Sequence, residues 1–367
     1  MKGARRFLFV YPAHGPTNDS ADADKIFIAA PLKSHGVELQ LLPVPLRRRF
    51  ISISRKLLFA TGLNACDLHI ATEYALIFAV SMRRELTGAR APVVGVGLNQ
   101  ARRAFVTGAA PIDRWINRRF QAIDCVIVHS RHERTLFNRL HGIELNRIHF
   151  AHWGYDLPAG DSRRFADRSA PYVCMIGRNN RDVDAFCAAA AAAGIDGVVI
   201  GPQPPSSRFP NIEFHGALSP DDCQSCIQHS IANVILLKDD ERGAGHITAV
   251  TGMHLGRPTI YSRTESLIDY LIDGYNGIAV PLGDVEKIAS AFSDLAASPA
   301  RAHELGENGR RYAARWLSND VTAKRIADLV LDVYHGRSSE IVRSDWLAEY
   351  DGLTSASTFA AAKGEAR

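Results

Sequence analysis

The chain has 367 residues, of which 46% are apolar and 22% charged, and its formal net charge is +4 at pH 7. These values are ordinary for globular proteins and are typical of neither a disordered chain nor a membrane protein. No apolar run approaches the roughly 20 residues of a spanning helix, so we expect a protein that neither spans a membrane nor is secreted. The length exceeds what one hydrophobic core usually organises, which predicts two domains.

The first half of the chain alternates strand-like and helix-like segments. Short apolar runs typical of strands occur at residues 6–11, 37–44, 66–71, 92–97 and 124–129. Helical spacing of apolar residues separates most of them, for example at residues 22–35. Strands that alternate with helices pair in parallel, so the pattern predicts an α/β fold with a doubly wound parallel sheet.

The same alternation restarts after a polar seam at residues 154–170. Further strand-like runs lie at residues 172–176, 197–200, 212–215, 232–237, 258–261 and 277–280. We therefore predict two Rossmann-like domains, residues 1–158 and 159–340, followed by a helix and a frayed tail at residues 341–367. Ligands of such sheets bind beyond the carboxyl ends of the strands, so two facing domains would enclose a cleft.

Six cysteines are scattered along the chain, which is typical of a reducing compartment, and we expect a cytoplasmic protein. Cys223 and Cys226 form one C-x-x-C motif with no second pair, inside a predicted helix. We interpret them as two thiols on one helical turn rather than as a zinc or redox site.

A polar glycine loop at residues 238–245 follows a strand and precedes a helix that begins near His246. The loop and helix start comprise Gly243, Ala244, Gly245, His246, Ile247 and Thr248. Free backbone N–H groups and the positive end of a helix dipole bind phosphate without a cationic side chain. The alternative is a tight turn with no ligand, since such junctions are common in α/β proteins.

The residues after this loop carry a longer signature. Residues 252–260 read Gly-Met-His-Leu-Gly-Arg-Pro-Thr-Ile, and residues 273–284 fit the pattern D-G-x-x-G-x-x-V-x-x-G-D. Three shorter matches lie in the same order, at residues 176–178, 214–216 and 305–309. Over residues 124–318 the chain resembles the GT-B glycosyltransferases, specifically the retaining family 4 group.

This resemblance implies that Arg178, and Arg181 three residues later, contact the diphosphate of a nucleotide-sugar donor. Two guanidiniums would stabilise the departing nucleotide as the glycosidic bond breaks. The alternative for both side chains is a solvated loop position. The resemblance further implies retention of the anomeric configuration, no bound metal, and no cofactor besides the nucleotide sugar as substrate.

The chain departs from the family at a pair of glutamates spaced E-x7-E, because those two positions are Gly243 and Thr251. Thr251 can replace one hydrogen bond to the donor ribose, and the sugar contact is left to the backbone or to Asp240 and Glu241. No general base can be named from the sequence.

Four residues of the first half follow predicted strands and would face the cleft. Gly15 is a candidate donor contact, and His14, Glu73 and Asn99 are candidates on the acceptor side. Each could equally be a helix cap or a turn residue.

Residues 1–158 contain 22 Lys and Arg against 12 Asp and Glu, so the first half is basic. Residues 46–59 combine seven apolar residues with five cations, namely Arg47, Arg48, Arg49, Arg55 and Lys56. Such a helix is typical of contact with an anionic membrane, here the inner face, and would suit a lipid-linked acceptor. The alternative is a solvated surface helix, and no motif indicates nucleic-acid binding.

The sequence therefore predicts a glycosyltransferase that moves a sugar from a nucleotide donor to a sugar or lipid-linked acceptor, in polysaccharide or glycolipid assembly. Two alternatives remain open. One is a catalytically silent partner subunit with the same fold, which the missing glutamates favour, and the other is a GT-B-fold nucleotide-sugar epimerase.

Overall fold

A computed structural model describes residues 5–12, 26–44, 65–98, 107–158, 160–201, 204, 209–240, 243–337, 347–352 and 354. The chain divides into two compact units. The first combines residues 1–151 with residues 319–342, and the second combines residues 152–318 with residues 343–367.

Two six-stranded sheets, one in each unit, organise the described residues, and every strand pair is parallel. The strands of the first unit are β1 (Arg5–Pro12), β2 (Val37–Val44), β3 (Leu68–Thr72), β4 (Val93–Val96), β5 (Cys125–Val128) and β6 (Ile148–Phe150). Those of the second are β7 (Tyr172–Ile176), β8 (Asp196–Ile200), β9 (Ile212–His215), β10 (Ala232–Ile235), β11 (Thr259–Ser262) and β12 (Gly277–Val280). The predicted α/β, doubly wound architecture is confirmed.

The helices of the described ranges lie between and after these strands. They are α1 (Ala29–Ser34), α2 (Tyr74–Thr87), α3 (Ala110–Gln121), α4 (Arg131–His141), α5 (Val183–Ala193), α6 (Pro220–Gln228), α7 (His246–His254), α8 (Val285–Ala297), α9 (Pro299–Trp316) and α10 (Asn319–Tyr334). A 3₁₀ turn at Leu145–Arg147 precedes β6. Within the described ranges, no helix is long and apolar enough to cross a membrane.

The first sheet has the order β2-β1-β3-β4-β5-β6 and is covered on both faces. Successive residues of a strand point to opposite faces. Leu8 of β1 therefore belongs to a core with Phe78 of α2 and Phe120 of α3, whereas Phe7 belongs to a separate core on the other face. Strand β6 has only three residues, which is too short for the periodicity signal, and the sequence reading missed it.

Helix α10 corrects the predicted domain boundary. Sequence order placed residues 319–340 in the second domain, but Ile326 and Val330 of α10 pack in the core that contains Phe7 and Phe9 of the first sheet. The physical reason is that the apolar stripe of α10 covers one face of that sheet. The seam also moves, because residues 152–158 belong to the second unit.

The second sheet has the order β12-β11-β10-β7-β8-β9, so the chain reverses its direction of progress between β7 and β10. In such sheets the two loops that follow the strands at the reversal diverge and leave a crevice at the carboxyl edge. Here those loops are residues 177–182 and residues 236–245. The predicted phosphate-binding residues lie in these loops and in the first turns of α7.

Candidate functional site

The two loops at the reversal point of the second sheet are joined by their backbones. Arg181 forms an isolated antiparallel bridge with Leu237. The Asp182 N–H donates to the Leu236 carbonyl at 2.9 Å, and the Lys238 N–H donates to the Asn180 carbonyl at 3.3 Å. Residues 177–182 and 236–238 therefore form one edge rather than two independent loops.

Arg181 is buried, with 7% of its surface exposed. Its guanidinium donates from Nε to the Ile176 carbonyl at 3.1 Å, from Nη1 to the Asn179 carbonyl at 3.0 Å, and from Nη2 to Thr248 Oγ1 at 3.4 Å. The side chain thus connects the end of β7 with the first turn of α7. These hydrogen bonds give Arg181 a structural role within the second unit. Its predicted contact with the diphosphate stays a prediction.

Arg178 has the opposite environment, because its side chain is exposed at the same edge of the sheet. Its Cγ lies close to Gly201, the residue after β8, where a Cβ atom would approach it to 3.0 Å. The stem of Arg178 therefore crosses the end of the neighbouring strand. Among the two predicted arginines, Arg178 is the one whose guanidinium is accessible to a ligand.

The start of α7 has the geometry that the glycine loop predicts. Gly245 is the N-cap residue with φ +92°, and a Cβ atom there would come within 2.7 Å of Ile235 Cγ2. The first intrahelical bond joins the Ala249 N–H to the Gly245 carbonyl at 2.9 Å. The N–H groups of the three residues before Ala249 have no intrahelical acceptor, as at any helix start. Ile247 among them is 61% exposed, so solvent reaches this positive end of the helix dipole.

His246 and Thr248 are both held by neighbouring residues. The imidazole of His246 is hydrogen-bonded through Nε2 to the Ser266 carbonyl at 3.0 Å and stacks on Tyr270 with ring centroids 4.5 Å apart. Thr248 is buried, and its hydroxyl donates to the Ile176 carbonyl at 3.4 Å. These contacts fix the first turn of α7 against β7 and the segment that follows β11.

Thr251 is where the family pattern has its second glutamate, and its hydroxyl is engaged within the protein. It donates to the Ile247 carbonyl at 2.7 Å and forms a short hydrogen bond with the hydroxyl of Tyr155. Tyr155 is 96 residues away in the chain, and sequence reasoning did not identify it. A tyrosine in the seam after β6 carries no local signal that could have identified it.

The described residues that precede α7 differ in burial and in their hydrogen bonds. Gly243 and Ala244 are buried. The Asp240 carboxylate accepts the Glu265 N–H on Oδ2 at 2.7 Å, whereas its buried Oδ1 has no hydrogen-bond partner among the described residues. The Asp240 carboxylate is therefore held in place through Oδ2.

In the first unit, Glu73 follows β3 with a left-handed backbone, φ 67° and ψ 140°. This conformation is costly for a residue with a Cβ, and such strain concentrates at functional sites. Glu73 occupies the N-cap position of α2, but its side chain makes no cap hydrogen bond. Glu73 is thus a cap residue by position, as the alternative expected, and its acceptor-side role stays a prediction.

Several predicted positions lie outside the described residues, and their roles stay predictions. They are His14, Gly15, Asn99, Glu241 and the basic stretch at residues 46–59. All six cysteines are described and none forms a disulfide. Cys223 and Cys226 lie on one turn of α6, as the helical interpretation expected.

Comparison with known proteins identifies the same part of the second unit. Residues 210–312, which include the glycine loop and α7, match the family "Glycosyl transferases group 1". The GDP-mannose-dependent alpha-(1-6)-phosphatidylinositol monomannoside mannosyltransferase of Mycolicibacterium smegmatis is 30% identical over 108 residues. That alignment spans 28% of either chain.

Similarity to solved structures extends over nearly the whole chain. Sucrose-phosphate synthase from Thermosynechococcus elongatus superposes with a TM-score of 0.69 at 15% identity, over 90% of this chain and 100% of that one. Anabaena HepE, solved in complex with UDP, gives a TM-score of 0.64 at 13% identity, over 89% and 100%. The chain has the GT-B fold of glycosyltransferases. The GT-B fold predicted from the sequence is thereby confirmed, whereas the retaining family 4 assignment stays a prediction.

Proposed function

We propose that this GT-B protein transfers a sugar from a nucleotide-diphosphate donor to an acceptor hydroxyl. One observation carries the proposal. An exposed arginine, Arg178, and the open amino end of α7 lie at the same edge of the second sheet, at its reversal point. The match of residues 210–312 to the group 1 glycosyltransferases covers this helix and supports the same reading.

The chemistry requires stabilisation of the negative charge that grows on the departing nucleoside diphosphate. We assign this task to the Arg178 guanidinium and to the backbone N–H groups of His246, Ile247 and Thr248. Arg181 contributes by holding the loop after β7 against α7 through its bonds to Ile176, Asn179 and Thr248. Charge-assisted bonds from preorganised donors are stronger than neutral ones and need no reorganisation during the reaction.

The donor sugar is assigned to Asp240. Its Oδ2 is oriented by the Glu265 N–H, and the second lone pair of this carboxylate oxygen can accept a hydrogen bond from a sugar hydroxyl. This carboxylate would replace the family glutamate whose position is Gly243 in this chain. Retention of configuration, independence of metal ions and the absence of a further cofactor belong to the proposal and rest on the family resemblance.

The acceptor is proposed to be a sugar or a lipid-linked molecule. The M. smegmatis relative is named for a phosphatidylinositol mannoside acceptor. The basic stretch at residues 46–59 would place the protein at the inner face of a membrane. Sedimentation with anionic vesicles, compared with neutral vesicles, tests this part, and equal recovery with both would contradict it.

The donor site is tested by thermal unfolding with UDP, GDP and ADP, because the relatives are named with both UDP and GDP-mannose. A ligand that binds only the native state at 100 times its dissociation constant stabilises it by about 2.7 kcal/mol. We expect one of the three to raise the melting temperature clearly. The absence of any increase with all three would refute the site.

One observation favours a catalytically silent subunit as the second candidate function. The Thr251 hydroxyl is already bonded to Tyr155 and Ile247, so the ribose contact of the family glutamate is not replaced by a free hydroxyl. A screen of UDP- and GDP-sugars for release of nucleoside diphosphate separates the two candidates. Binding without release would support the silent subunit, and release with one donor would support the transferase.

A further inference from the structure

A cavity of about 650 Å³ lies in the second unit, at the amino edge of its sheet. It is lined by residues that immediately precede three strands, namely Pro171 before β7, Ile231 before β10 and Arg257 close before β11. The candidate donor site lies at the carboxyl edge of the same strands. Because β7 has five residues with a rise of about 3.3 Å each, the two sites are separated by the length of this strand, roughly 16 Å.

Two arginines define the charge of this cavity. Arg310 of α9 pairs with Glu307 at 2.8 Å, donates from Nη2 to the Leu255 carbonyl at 3.4 Å, and lies against the peptide of Gly256. Arg257 contributes a buried Nε that has no hydrogen-bond partner among the described residues. The residues that line the cavity therefore include two arginines and one glutamate.

The environment of Arg257 is unfavourable for its charge when the cavity holds no anion. Burial, together with the nearby Arg310 guanidinium, lowers the pKa of Arg257 from its usual value. A buried donor without an acceptor costs free energy, and a like charge beside it adds to that cost. An oxyanion between the two side chains would offset the repulsion between the two like charges.

The remaining wall combines further donors with an apolar surface. His229 and His303 stand at the rim, and both are exposed. The first turn of α9, at Pro299 and Ala302, faces the cavity with the positive end of an 18-residue helix. Apolar lining comes from Ile231, Leu255, Leu295 and Ala296. The volume falls in the range of small-molecule sites.

We propose that this cavity binds a small organic phosphate, with the phosphate on Arg257 and Arg310 and the organic part against the apolar wall. A phosphate monoester carries close to two negative charges and three acceptor oxygens, which match two guanidiniums better than a single carboxylate does. An inorganic anion would leave the apolar wall unused. The site is independent of the donor site and of the proposed transferase function, because none of its residues lies in the loops after β7 or β10.

The test is calorimetric titration of the full chain with phenyl phosphate as the probe, in an Arg178→Ala background so that the donor site does not compete. We expect one saturable site, weaker binding of inorganic phosphate and of benzoate, and no binding of benzyl alcohol. Arg257→Gln, Arg310→Gln and His303→Glu should each weaken phenyl phosphate by at least tenfold. The matched control is Arg301→Gln, on the same helix, whose guanidinium bonds Glu304 and the Gly274 carbonyl outside the cavity.

Arg310 and His303 are exposed, so their variants report on binding even if Arg257→Gln impairs folding. Absence of saturable binding at millimolar phenyl phosphate would overturn the proposal. Equal affinity in Arg310→Gln, His303→Glu and Arg301→Gln would also overturn it. If inorganic phosphate binds as tightly as phenyl phosphate, the apolar wall contributes nothing to binding. That result would overturn the proposal of an organic phosphate and leave a simple anion site.

Discussion

The guanidinium of Arg181 lies over the peptide of Gly177, so closely that a Cβ atom at residue 177 would come within 2.6 Å of Nη2. Gly177 also has φ +123°, a backbone conformation that other residues rarely adopt. Two features therefore require glycine at residue 177. One is its positive φ, and the other is the close approach of the Arg181 side chain. This contact sets the position of Arg181 and, through it, the start of α7.

Gly177→Ala should displace Arg181 and destabilise the protein by about 1–3 kcal/mol, the range for a strained backbone residue. Gly194→Ala is the matched control, because Gly194 has φ +64° and no atom within 4 Å of an added Cβ. We expect urea denaturation to give a smaller loss for the control. Nucleoside diphosphate binding should weaken only in Gly177→Ala, and equal effects of both substitutions would contradict the packing argument.

Substitution of Arg178 should mainly reduce turnover, whereas substitution of Arg181 should mainly reduce stability. Arg178→Ala removes an exposed side chain, so unfolding free energy should change by less than about 0.5 kcal/mol while turnover falls on the order of 100-fold. Arg181→Ala removes the donor of the Asn179 carbonyl and one of the two donors of the Ile176 carbonyl, where the Thr248 hydroxyl remains, and should cost about 2–4 kcal/mol of stability. Denaturation and steady-state kinetics measure the two effects. Arg163→Ala, at an exposed position before β7, is the control, and turnover in Arg178→Ala equal to that of the control would remove Arg178 from the mechanism.

Two substitutions at Glu73 separate the backbone strain from the carboxylate. Glu73→Gly and Glu73→Ala both remove the carboxylate, but only glycine relieves the positive φ of this residue. Glu73→Gly should therefore be more stable than Glu73→Ala by about 1 kcal/mol, as measured by denaturant unfolding. If the carboxylate serves the acceptor, both variants lose turnover equally. Wild-type turnover in both would show that the strain at residue 73 has no catalytic purpose.

The first unit should lose stability in mild acid because it buries neutral imidazoles. His141 stacks on Phe120 with ring centroids 4.2 Å apart, and burial lowers its pKa from 6.5 to about 4. The folded pKa lies below the unfolded value, so the unfolded chain binds the extra proton at intermediate pH. The contribution of His141 is therefore complete above pH 6.5 and is lost as the pH falls toward 4.

At pH 4.5 this linkage amounts to about 2 kcal/mol for His141. His141→Phe keeps the aromatic stack but cannot titrate, so its unfolding free energy should decrease less between pH 6.5 and pH 4.5. His35→Gln, at an exposed position of the same unit, is the control. Denaturant unfolding across this pH range measures the difference, and parallel pH profiles for His141→Phe and the wild type would refute the assignment.

Much of this architecture was accessible from local patterns in the chain. The alternation of apolar runs predicted both sheets, and the glycine loop at residues 238–245 predicted the helix start near His246. The glycine and arginine after β7 were also identified in advance. These features depend on residues within a few positions of one another, which is the range over which periodicity and turn chemistry act.

Contacts between distant residues decided the rest, and no local pattern encodes them. Arg178 and Arg181 share one loop, yet packing against Gly177 and Thr248 buries one guanidinium and leaves the other exposed. Tyr155 reaches Thr251 across 96 residues.

The amino acid sequence by itself determined the fold class and the position of the glycine loop before α7, because hydrophobic periodicity and glycine conformations are properties of short segments. Only the tertiary structure assigned α10 to the first sheet and assembled the Arg257 cavity from three strand starts and helix α9. Burial and charge pairing depend on which distant surfaces meet when the chain packs.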